Sequence, residues 1–202
     1  MLRLFRRKAE PKKPVIIVSG LPRSGTSLMM RMLVEGGLDA VTDRLRIADE
    51  DNPEGYFELE AVKQLPAGDV AWLAGAHGRV VKVISFLLEH LPAEYSYKIV
   101  FMEREIEEIL ASQKKMLKRR DTEPHLDDAD MGTRFRTHIA AVKPWLARQP
   151  NMDVLYVSYN ELMRDATSLC RKLTEFTGLP LDQDRMRSVP SSDLYRNRKM
   201  PS

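Results

Sequence analysis

One stretch near the amino terminus limits the possible folds of this chain more than any other feature. Residues 15–19 (VIIVS) are an apolar, β-branched run typical of a strand buried on both faces. A glycine-bearing loop over residues 20–27 (GLPRSGTS) follows, and then a helix-like segment that Gly36 and Gly37 end. A buried strand that leads through a glycine loop into a helix is the local unit of an α/β protein with a parallel sheet.

The same alternation of strands and helices continues along the chain. Further strands are predicted over residues 79–85, 98–102 and 154–158, helices over residues 103–120, 131–148 and 165–177, and a short helical segment near residues 59–65. We expect Pro144 to kink or interrupt its helix, because proline lacks a backbone N–H. An acidic loop is predicted over residues 121–130.

Composition excludes several classes of protein. The chain has 202 residues, 43% of them hydrophobic and 30% charged, which is ordinary for one soluble domain. Cys170 is the single cysteine, which excludes an internal disulfide or a cysteine-based zinc site, and the four histidines lack ligand spacing. We therefore predict no metal site. No apolar run approaches the roughly 20 residues of a membrane span, and residues 1–14 are basic without the apolar run of a secretory signal. We therefore expect a cytoplasmic location.

The net charge of +3 originates in an amino-terminal arm. Residues 1–14 carry one acid, Glu10, and a cluster of bases: Arg3, Arg6, Arg7, Lys8, Lys12 and Lys13. The rest of the chain is net acidic, so we divide it into a basic flexible arm (1–14) and a single domain (15–202). Such an arm suits contact with an anionic membrane or nucleic acid, but we expect a solvated terminus. Nucleic acid is not an expected partner.

The loop over residues 20–27 has the spacing of a phosphate-binding site. It reads G-x-x-x-x-G-T-S, one residue away from the G-x-x-x-x-G-K-[ST] loop of nucleoside triphosphatases. Backbone N–H groups of such a loop, at a helix N-terminus, point at an anion. Thr26 stands where a lysine would reach the outer phosphates, and a cation, Arg23, lies inside the loop. The fold class predicted is a P-loop-type three-layer α/β fold with a central parallel sheet flanked by helices.

The segment PRSGTS after an apolar strand resembles the phosphosulfate loop of the sulfotransferase family. That family uses 3′-phosphoadenosine 5′-phosphosulfate (PAPS) and needs no metal. The resemblance implies that Arg23 contacts the oxygen bridging sulfate and phosphate, and that Ser24, Gly25, Thr26 and Ser27 hold the 5′-phosphate. A cation at that position stabilises the negative charge that develops on the leaving phosphate oxygen.

Two further segments carry the same resemblance. In the family, an arginine at a strand end and a serine eight residues later hold the 3′-phosphate, and Arg104 and Ser112 have that separation. The family commonly reads R-N-P-x-[DE] there, whereas this chain has an arginine followed by EIE and Glu108. Near the carboxyl terminus, cytosolic members of the family have an R-K-G segment that contacts the 3′-phosphate. Arg196 and Arg198 resemble that segment in charge only, and the resemblance implies that they contact the same phosphate.

The third segment, residues 154–181 (VLYVSYNELMRDATSLCRKLTEFTGLPL), is similar to the last strand and helix of the family. We expect it to be structural and to bind nothing.

Sulfuryl transfer also requires a base that takes the proton of the acceptor. Cytosolic members of the family carry a histidine two residues after a strand lysine, but here Lys82 is followed by Ile84 at that position. Lys82 is implied to neutralise sulfate charge, and a carboxylate replaces the histidine as base. Glu58 ranks first, because residues 52–58 (NPEGYFE) resemble a segment of bacterial sulfotransferase-like proteins. Asp43 ranks second and Asp49 third; each also suits a helix cap or a solvated loop.

Four other side chains are weaker candidates for the acceptor pocket. His90 follows the third predicted strand, and Tyr56, Phe57 and Trp72 offer an aromatic wall. We expect His90 to be an ordinary surface residue and the three aromatic residues to pack in the ordinary way.

The sequence thus predicts a sulfotransferase that moves a sulfuryl group from PAPS to an acceptor hydroxyl or amine of a small molecule or carbohydrate. One alternative is a P-loop nucleotide phosphotransferase or ATPase. That class needs a lysine at the position of Thr26 and an acidic residue at the end of a second strand to hold magnesium. Neither is present, because Thr26 is a threonine and the second predicted strand ends in KVIS. The other alternative is a nucleotide-binding protein that has lost acceptor chemistry.

Overall fold

The computed structural model describes residues 13–43, 45, 55–119 and 127–190. Most of the basic arm, to residue 12, lies outside these ranges, and so does the predicted acidic loop as far as residue 126. Among the candidate site residues, Asp49, Arg196 and Arg198 also lie outside the described part.

The predicted parallel sheet is confirmed. Its four strands within the described residues are β1 (Val15–Gly20), β2 (Val80–Lys82), β3 (Tyr97–Glu103) and β4 (Met152–Ser158). They lie in the order β2-β1-β3-β4, and every neighbouring pair is parallel. β2 is shorter than the predicted strand, because the chain turns at Ser85 into a 3₁₀ helix.

Helices connect these strands and cover the sheet. Within the described ranges the α-helices are α1 (Thr26–Glu35), α2 (Ile106–Arg119), α3 (Asp128–Leu146), α4 (Tyr159–Arg164), α5 (Ala166–Thr177) and α6 (Gln183–Arg187). Three 3₁₀ helices span Glu60–Ala67, Ala71–Gly75 and Ser85–His90. The glycines predicted to end helices do so: α1 stops before Gly36, and α5 stops at Gly178 in a left-handed conformation.

Two expectations about α3 are wrong. The helix is not interrupted at Pro144 but continues to Leu146, because a proline this near the end removes only one hydrogen bond of the last turn. The predicted loop also ends earlier than Asp130. Asp127 accepts a hydrogen bond from the Asp130 N–H and so caps α3, which begins at Asp128.

The sheet has a hydrophobic layer on each face, as a three-layer fold requires. Side chains alternate along β1: Ile16 and Val18 pack with α1 and α5, whereas Val15 and Ile17 pack on the opposite face with α3 and the 3₁₀ helices. All four are fully buried. In the ranges that the structure describes, no helix combines the length and apolar character that crossing a bilayer demands.

Because all strands are parallel, their carboxyl ends lie along one edge of the sheet. Gly20, Lys82, Glu103 and Ser158 end the four strands there. This edge brings the glycine loop, the Arg104 turn and the start of α4 together.

Phe101 tests the packing of the sheet. Its side chain is fully buried in β3 and contacts the layer beneath α3. Phe101→Ala should therefore lower the free energy of unfolding by about 3–5 kcal/mol, through lost burial and a residual cavity. Urea denaturation measures the change, with the exposed Thr137→Ala on α3 as control. A loss no larger for Phe101→Ala than for this control would contradict the assigned core.

Candidate active site

The glycine loop after β1 lies tightly against the end of β3 and the start of α4. A Cβ atom on Gly20 would lie 2.5 Å from the Ser24 Oγ and 2.6 Å from the Met102 carbonyl oxygen. A Cβ on Gly25 would lie 2.4 Å from the Tyr159 ring. Both glycines also have positive φ, 144° and 100°. Only glycine fits either position, so packing as well as backbone conformation explains the two glycines of the motif.

The loop and the first turn of α1 have the chemistry of an anion site. The N-cap of α1, Gly25, offers no side-chain cap, and the first turn contains no acid. Ser24 is 1% exposed, and its hydroxyl has no hydrogen-bond partner among the described residues. A buried hydroxyl without a partner is unfavourable, and an anion in the loop would satisfy it. These residues therefore fit a bound phosphate.

The two predicted phosphate-binding segments contact each other. Arg23 has a positive φ of 69°, and its Nε donates a hydrogen bond of 3.1 Å to the Ser112 Oγ. Arg104 donates through Nη1 to the backbone carbonyl of Arg23, at 3.3 Å. The structure thus brings Arg104 and Ser112 to Arg23 at one end of the loop, although the chain separates Arg23 from both by more than 80 residues.

Arg104 is held in a buried cluster that sequence reasoning missed. Its Nε donates to the Glu108 Oε2 at 2.9 Å, and the two side chains are only 7% and 3% exposed. Asn160 donates to the other Glu108 oxygen at 3.1 Å. The Tyr159 ring lies 4.2 Å from the Arg104 guanidinium carbon. The four-residue spacing of Arg104 and Glu108 was a signal for their pairing, but nothing in the sequence placed Asn160 beside them.

Lys82 and Glu58 lie together against the loop. Lys82 is buried rather than exposed to solvent, and its Nζ donates to the Ser27 Oγ at 3.2 Å and to the backbone carbonyl of Tyr56. The Glu58 carboxylate lies 3.6 Å from the same Nζ and is 30% exposed. The structure therefore places both candidate residues at the α1 end of the glycine loop.

Asp43 is close to Glu58 in space, and its carboxylate accepts hydrogen bonds from the backbone. Its Oδ2 accepts from the Glu60 N–H at 2.6 Å, and its Oδ1 accepts from the Leu45 N–H at 3.0 Å. These backbone hydrogen bonds, first that of Glu60, lower the pKa of the Asp43 carboxyl. The carboxylate thus caps the 3₁₀ helix that begins at Glu60. Thr42 and the Asp43 N–H both donate to the Glu58 carbonyl, which joins the two segments.

The four weaker candidates for the acceptor pocket lie in different parts of the structure. Tyr56 is buried, with its ring 5.9 Å from the Lys82 Nζ, and Phe57 packs against the core on the α1 side. Trp72 packs into the core on the opposite face of the sheet. His90 is an exposed residue at the end of its 3₁₀ helix.

A histidine that sequence analysis did not select lies just beyond β2. His138 on α3 has its Nε2 2.9 Å from the Ser85 Oγ, and its ring stacks on Phe86 at 3.8 Å. Burial lowers the pKa of His138. Ile84 and Phe86 are 36% and 39% exposed, so an apolar surface follows Lys82 along the chain. No sequence signal linked His138 to this turn, because the contact joins residues 53 positions apart.

One surface cavity, of about 550 Å³, lies elsewhere. Lys98, Asp153 and Phe176 line it, beside the amino-terminal halves of β3 and β4. It is open and lies at the opposite end of the strands from the glycine loop. The arginines and the unpartnered Ser24 hydroxyl make the loop the better candidate site.

Comparison with known proteins gives a consistent result. The sulfotransferase domain model matches residues 13–199. Sulfotransferase STF1 from Mycobacterium tuberculosis is similar in structure, with a TM-score of 0.61 and 18% identity over 91% of this chain and 72% of its own. Mouse sulfotransferase SULT7A1, solved with PAP (3′,5′-adenosine bisphosphate), has a TM-score of 0.57 and 15% sequence identity. The match covers 94% of this chain and 67% of the mouse protein's chain.

A sulfotransferase from Alicyclobacillus acidocaldarius gives a TM-score of 0.50 and 17% identity over 86% of this chain and 83% of its own. The sequence has no match among curated proteins. At these identities the solved structures establish the fold, and the domain match covers nearly the whole chain.

The Asp43 cap makes stability depend on pH. A carboxyl with a lowered pKa stabilises the fold fully above its unfolded value of 3.8, and the contribution is lost as the pH falls through the lower, folded value. Asp43→Ala should therefore destabilise the protein at pH 7, by about 1 kcal/mol as for a lost helix cap. The difference from the wild type should shrink below pH 3.8.

Urea denaturation at pH 7 and pH 3, with the exposed Asp153→Ala as control, measures both effects. A difference between wild type and Asp43→Ala that stays constant with pH would show that the carboxylate does not act as a charged cap.

Proposed function

This chain belongs to the sulfotransferase family, and we propose that it moves a sulfuryl group to a hydroxyl or amine of a small molecule or carbohydrate. PAPS-dependent sulfuryl transfer follows from the family match over residues 13–199. The observation that carries the residue assignment is the meeting of Arg23, Arg104 and Ser112 at one end of the glycine loop.

The loop is proposed to hold the 5′-phosphosulfate. Backbone N–H groups of residues 23–27 and the hydroxyls of Ser24, Thr26 and Ser27 are suitable donors. The unpartnered Ser24 hydroxyl and the first turn of α1 without an acid support this assignment. The mouse protein that is similar to this chain was solved with PAP, which also supports a nucleotide of that class.

The 3′-phosphate is proposed to bind Arg104 and Ser112. Both lie beside Arg23, so a nucleotide whose 5′ end occupies the loop would have its 3′ end within reach of a second cation. Arginine suits this position, because its planar fork of donors matches phosphate oxygens. Arg196 and Arg198 stay proposed contributors to the same phosphate.

Lys82 and Glu58 are proposed to do the acceptor chemistry, with Asp43 as the second candidate for the base. PAPS supplies the sulfuryl group and an anionic leaving group. Glu58 takes the proton from the acceptor as its oxygen or nitrogen attacks sulfur. Lys82 and Arg23 balance the negative charge on the sulfate and on the departing phosphate oxygen. The 3.6 Å separation of the Lys82 Nζ and the Glu58 carboxylate, next to Ser27, supports this division of roles.

The structure offers little to a phosphotransferase. Thr26 stands in place of the phosphate-binding lysine. Of the two strands beside β1, β2 ends in a cation, Lys82, and the acid that ends β3, Glu103, is paired with Lys143 and so is not free to hold magnesium. The third possibility, a nucleotide-binding protein without turnover, lacks a specific observation in its favour, because Lys82 and Glu58 both lie at the loop.

Nucleotide affinity tests the assignment of the two phosphates. We expect PAP to bind without magnesium and Arg104→Ala to weaken it by roughly 1.5–3 kcal/mol, the range for hydrogen bonds to charged groups. Arg136→Ala, which removes an exposed arginine paired with Glu107, should leave PAP affinity unchanged. Isothermal titration calorimetry with PAP and with ATP plus magnesium makes the comparison. Tighter magnesium-dependent binding of ATP would support the phosphotransferase.

Turnover tests the proposed base. Glu58→Gln keeps the shape of the side chain but removes the proton acceptor, so the rate should fall by about 10²–10⁴-fold. PAP affinity should stay nearly unchanged, because Glu58 is not among the residues proposed to hold either phosphate. Asp43→Asn should retain most of the rate, since its carboxylate caps the 3₁₀ helix.

The measurement uses radiolabelled PAPS and a panel of model alcohols, phenols, amines and sugars to find an acceptor. If Glu58→Gln retains its rate and Asp43→Asn does not, the role of base moves to Asp43.

A further inference from the structure

We propose that Glu108 is a positioning residue: it holds the Arg104 guanidinium in the orientation that selects nucleotides bearing a 3′-phosphate. The proposal rests on the proposed function, because it assumes that Arg104 binds this phosphate. It adds a buried residue of α2, and its partner Asn160 on α4, to the residues that determine which nucleotide is accepted.

Both oxygens of the Glu108 carboxylate are engaged. Oε2 accepts from the Arg104 Nε at 2.9 Å, and Oε1 accepts from the Asn160 Nδ2 at 3.1 Å. The Glu108 side chain is 3% exposed, so water competes little for these hydrogen bonds. Asn160 therefore fixes the carboxylate, and the carboxylate fixes one edge of the guanidinium.

Two other contacts complete the orientation of Arg104. Its Nη1 donates to the backbone carbonyl of Arg23 at 3.3 Å, and the Tyr159 ring lies 4.2 Å from its central carbon. A guanidinium is planar and rigid, so two hydrogen bonds in its plane and a ring near it determine its direction. A phosphate that arrives there meets a cation whose side-chain entropy was already lost on folding.

Stability alone is a poor explanation for this ion pair. Burying two charges is costly, and apolar residues of similar volume often replace such a pair without loss of stability. A carboxylate so near a phosphate site also repels the ligand. Orientation of Arg104 and repulsion of the phosphate therefore predict opposite effects when the carboxylate is removed, which makes the two separable.

The experiment compares the affinities for PAP and for 5′-AMP, which lacks the 3′-phosphate, by isothermal titration calorimetry. For Glu108→Ala we expect the ratio of PAP to 5′-AMP affinity to fall by about 10-fold, as for loss of a residue that orients a ligand-binding group. The affinity for 5′-AMP should not change. Glu108→Gln should retain most of the ratio, because its amide oxygen still accepts from the Arg104 Nε and its amide nitrogen donates to the Asn160 Oδ1 once the Asn160 amide is flipped.

Glu107→Ala is the matched control. Glu107 is the neighbouring carboxylate on α2 and also pairs with an arginine, Arg136, at 2.7 Å, but this pair is exposed. The ratio should stay at the wild-type value in that variant. A general loss of structure in Glu108→Ala would weaken PAP and 5′-AMP together and would be visible in a thermal melt.

The outcomes that would overturn the proposal concern the two variants and the wild-type protein. An unchanged or increased ratio in Glu108→Ala overturns the proposal, and an increase shows that repulsion dominates. If Glu108→Ala does not fold, Asn160→Ala releases the carboxylate while leaving the ion pair; a ratio lower than wild type supports the proposal and an unchanged ratio overturns it. A wild-type protein that binds 5′-AMP as tightly as PAP refutes the proposed assignment of the 3′-phosphate to Arg104 and Ser112, and the role of Glu108 with it.

Discussion

The close contact between the glycine loop and the Tyr159 ring is the constraint on which the rest of the site depends. A Cβ atom on Gly25 would lie 2.4 Å from a carbon of that ring, which is too close for any side chain. The same ring lies beside the Arg104 guanidinium, which in turn donates to the backbone of Arg23 in the loop. Loop, β3 end and α4 therefore hold one another in place, and none of the three can move without disturbing the others.

This arrangement supports the proposal that one edge of a small sheet binds two phosphates in positions of different character. The loop presents backbone N–H groups and hydroxyls at the start of α1, while the β3–α2 turn presents the Arg104 cation and α2 presents the Ser112 hydroxyl. On the other side of the loop, Lys82 and Glu58 place a cation and a carboxylate at Ser27. A cation beside a carboxylate suits a reaction in which negative charge develops as a proton leaves.

Sequence reasoning succeeded where the signal is local. The strand, loop and helix over residues 15–35 could be predicted because the apolar run, the glycine spacing and the terminating glycines lie within one continuous stretch. The same holds for Arg104 and Ser112, whose separation matches a strand end and the next two turns of helix. The strand at β2 was predicted too long, since its apolar character continues into a 3₁₀ helix that only the packing defines.

What the sequence could not predict involves contacts between distant segments. Nothing near Glu108 indicates that Asn160 lies beside it, and nothing near Asp43 indicates that its carboxylate caps the helix at Glu60. The fold also bears on the proposed choice between Glu58 and Asp43 as base, because both carboxylate oxygens of Asp43 accept from backbone N–H groups, those of Glu60 and Leu45. His138 was missed for the same reason, because its partner Ser85 belongs to another segment.

A crystal structure of the complex with PAP tests the central claim most directly, because the claim concerns where two phosphates lie. We expect the 5′-phosphate within hydrogen-bond distance of the backbone N–H groups of residues 23–27, and the 3′-phosphate at Arg104 and Ser112. A nucleotide bound in the cavity beside Lys98 and Phe176, or bound at the loop with its 3′-phosphate directed away from Arg104, would contradict the account.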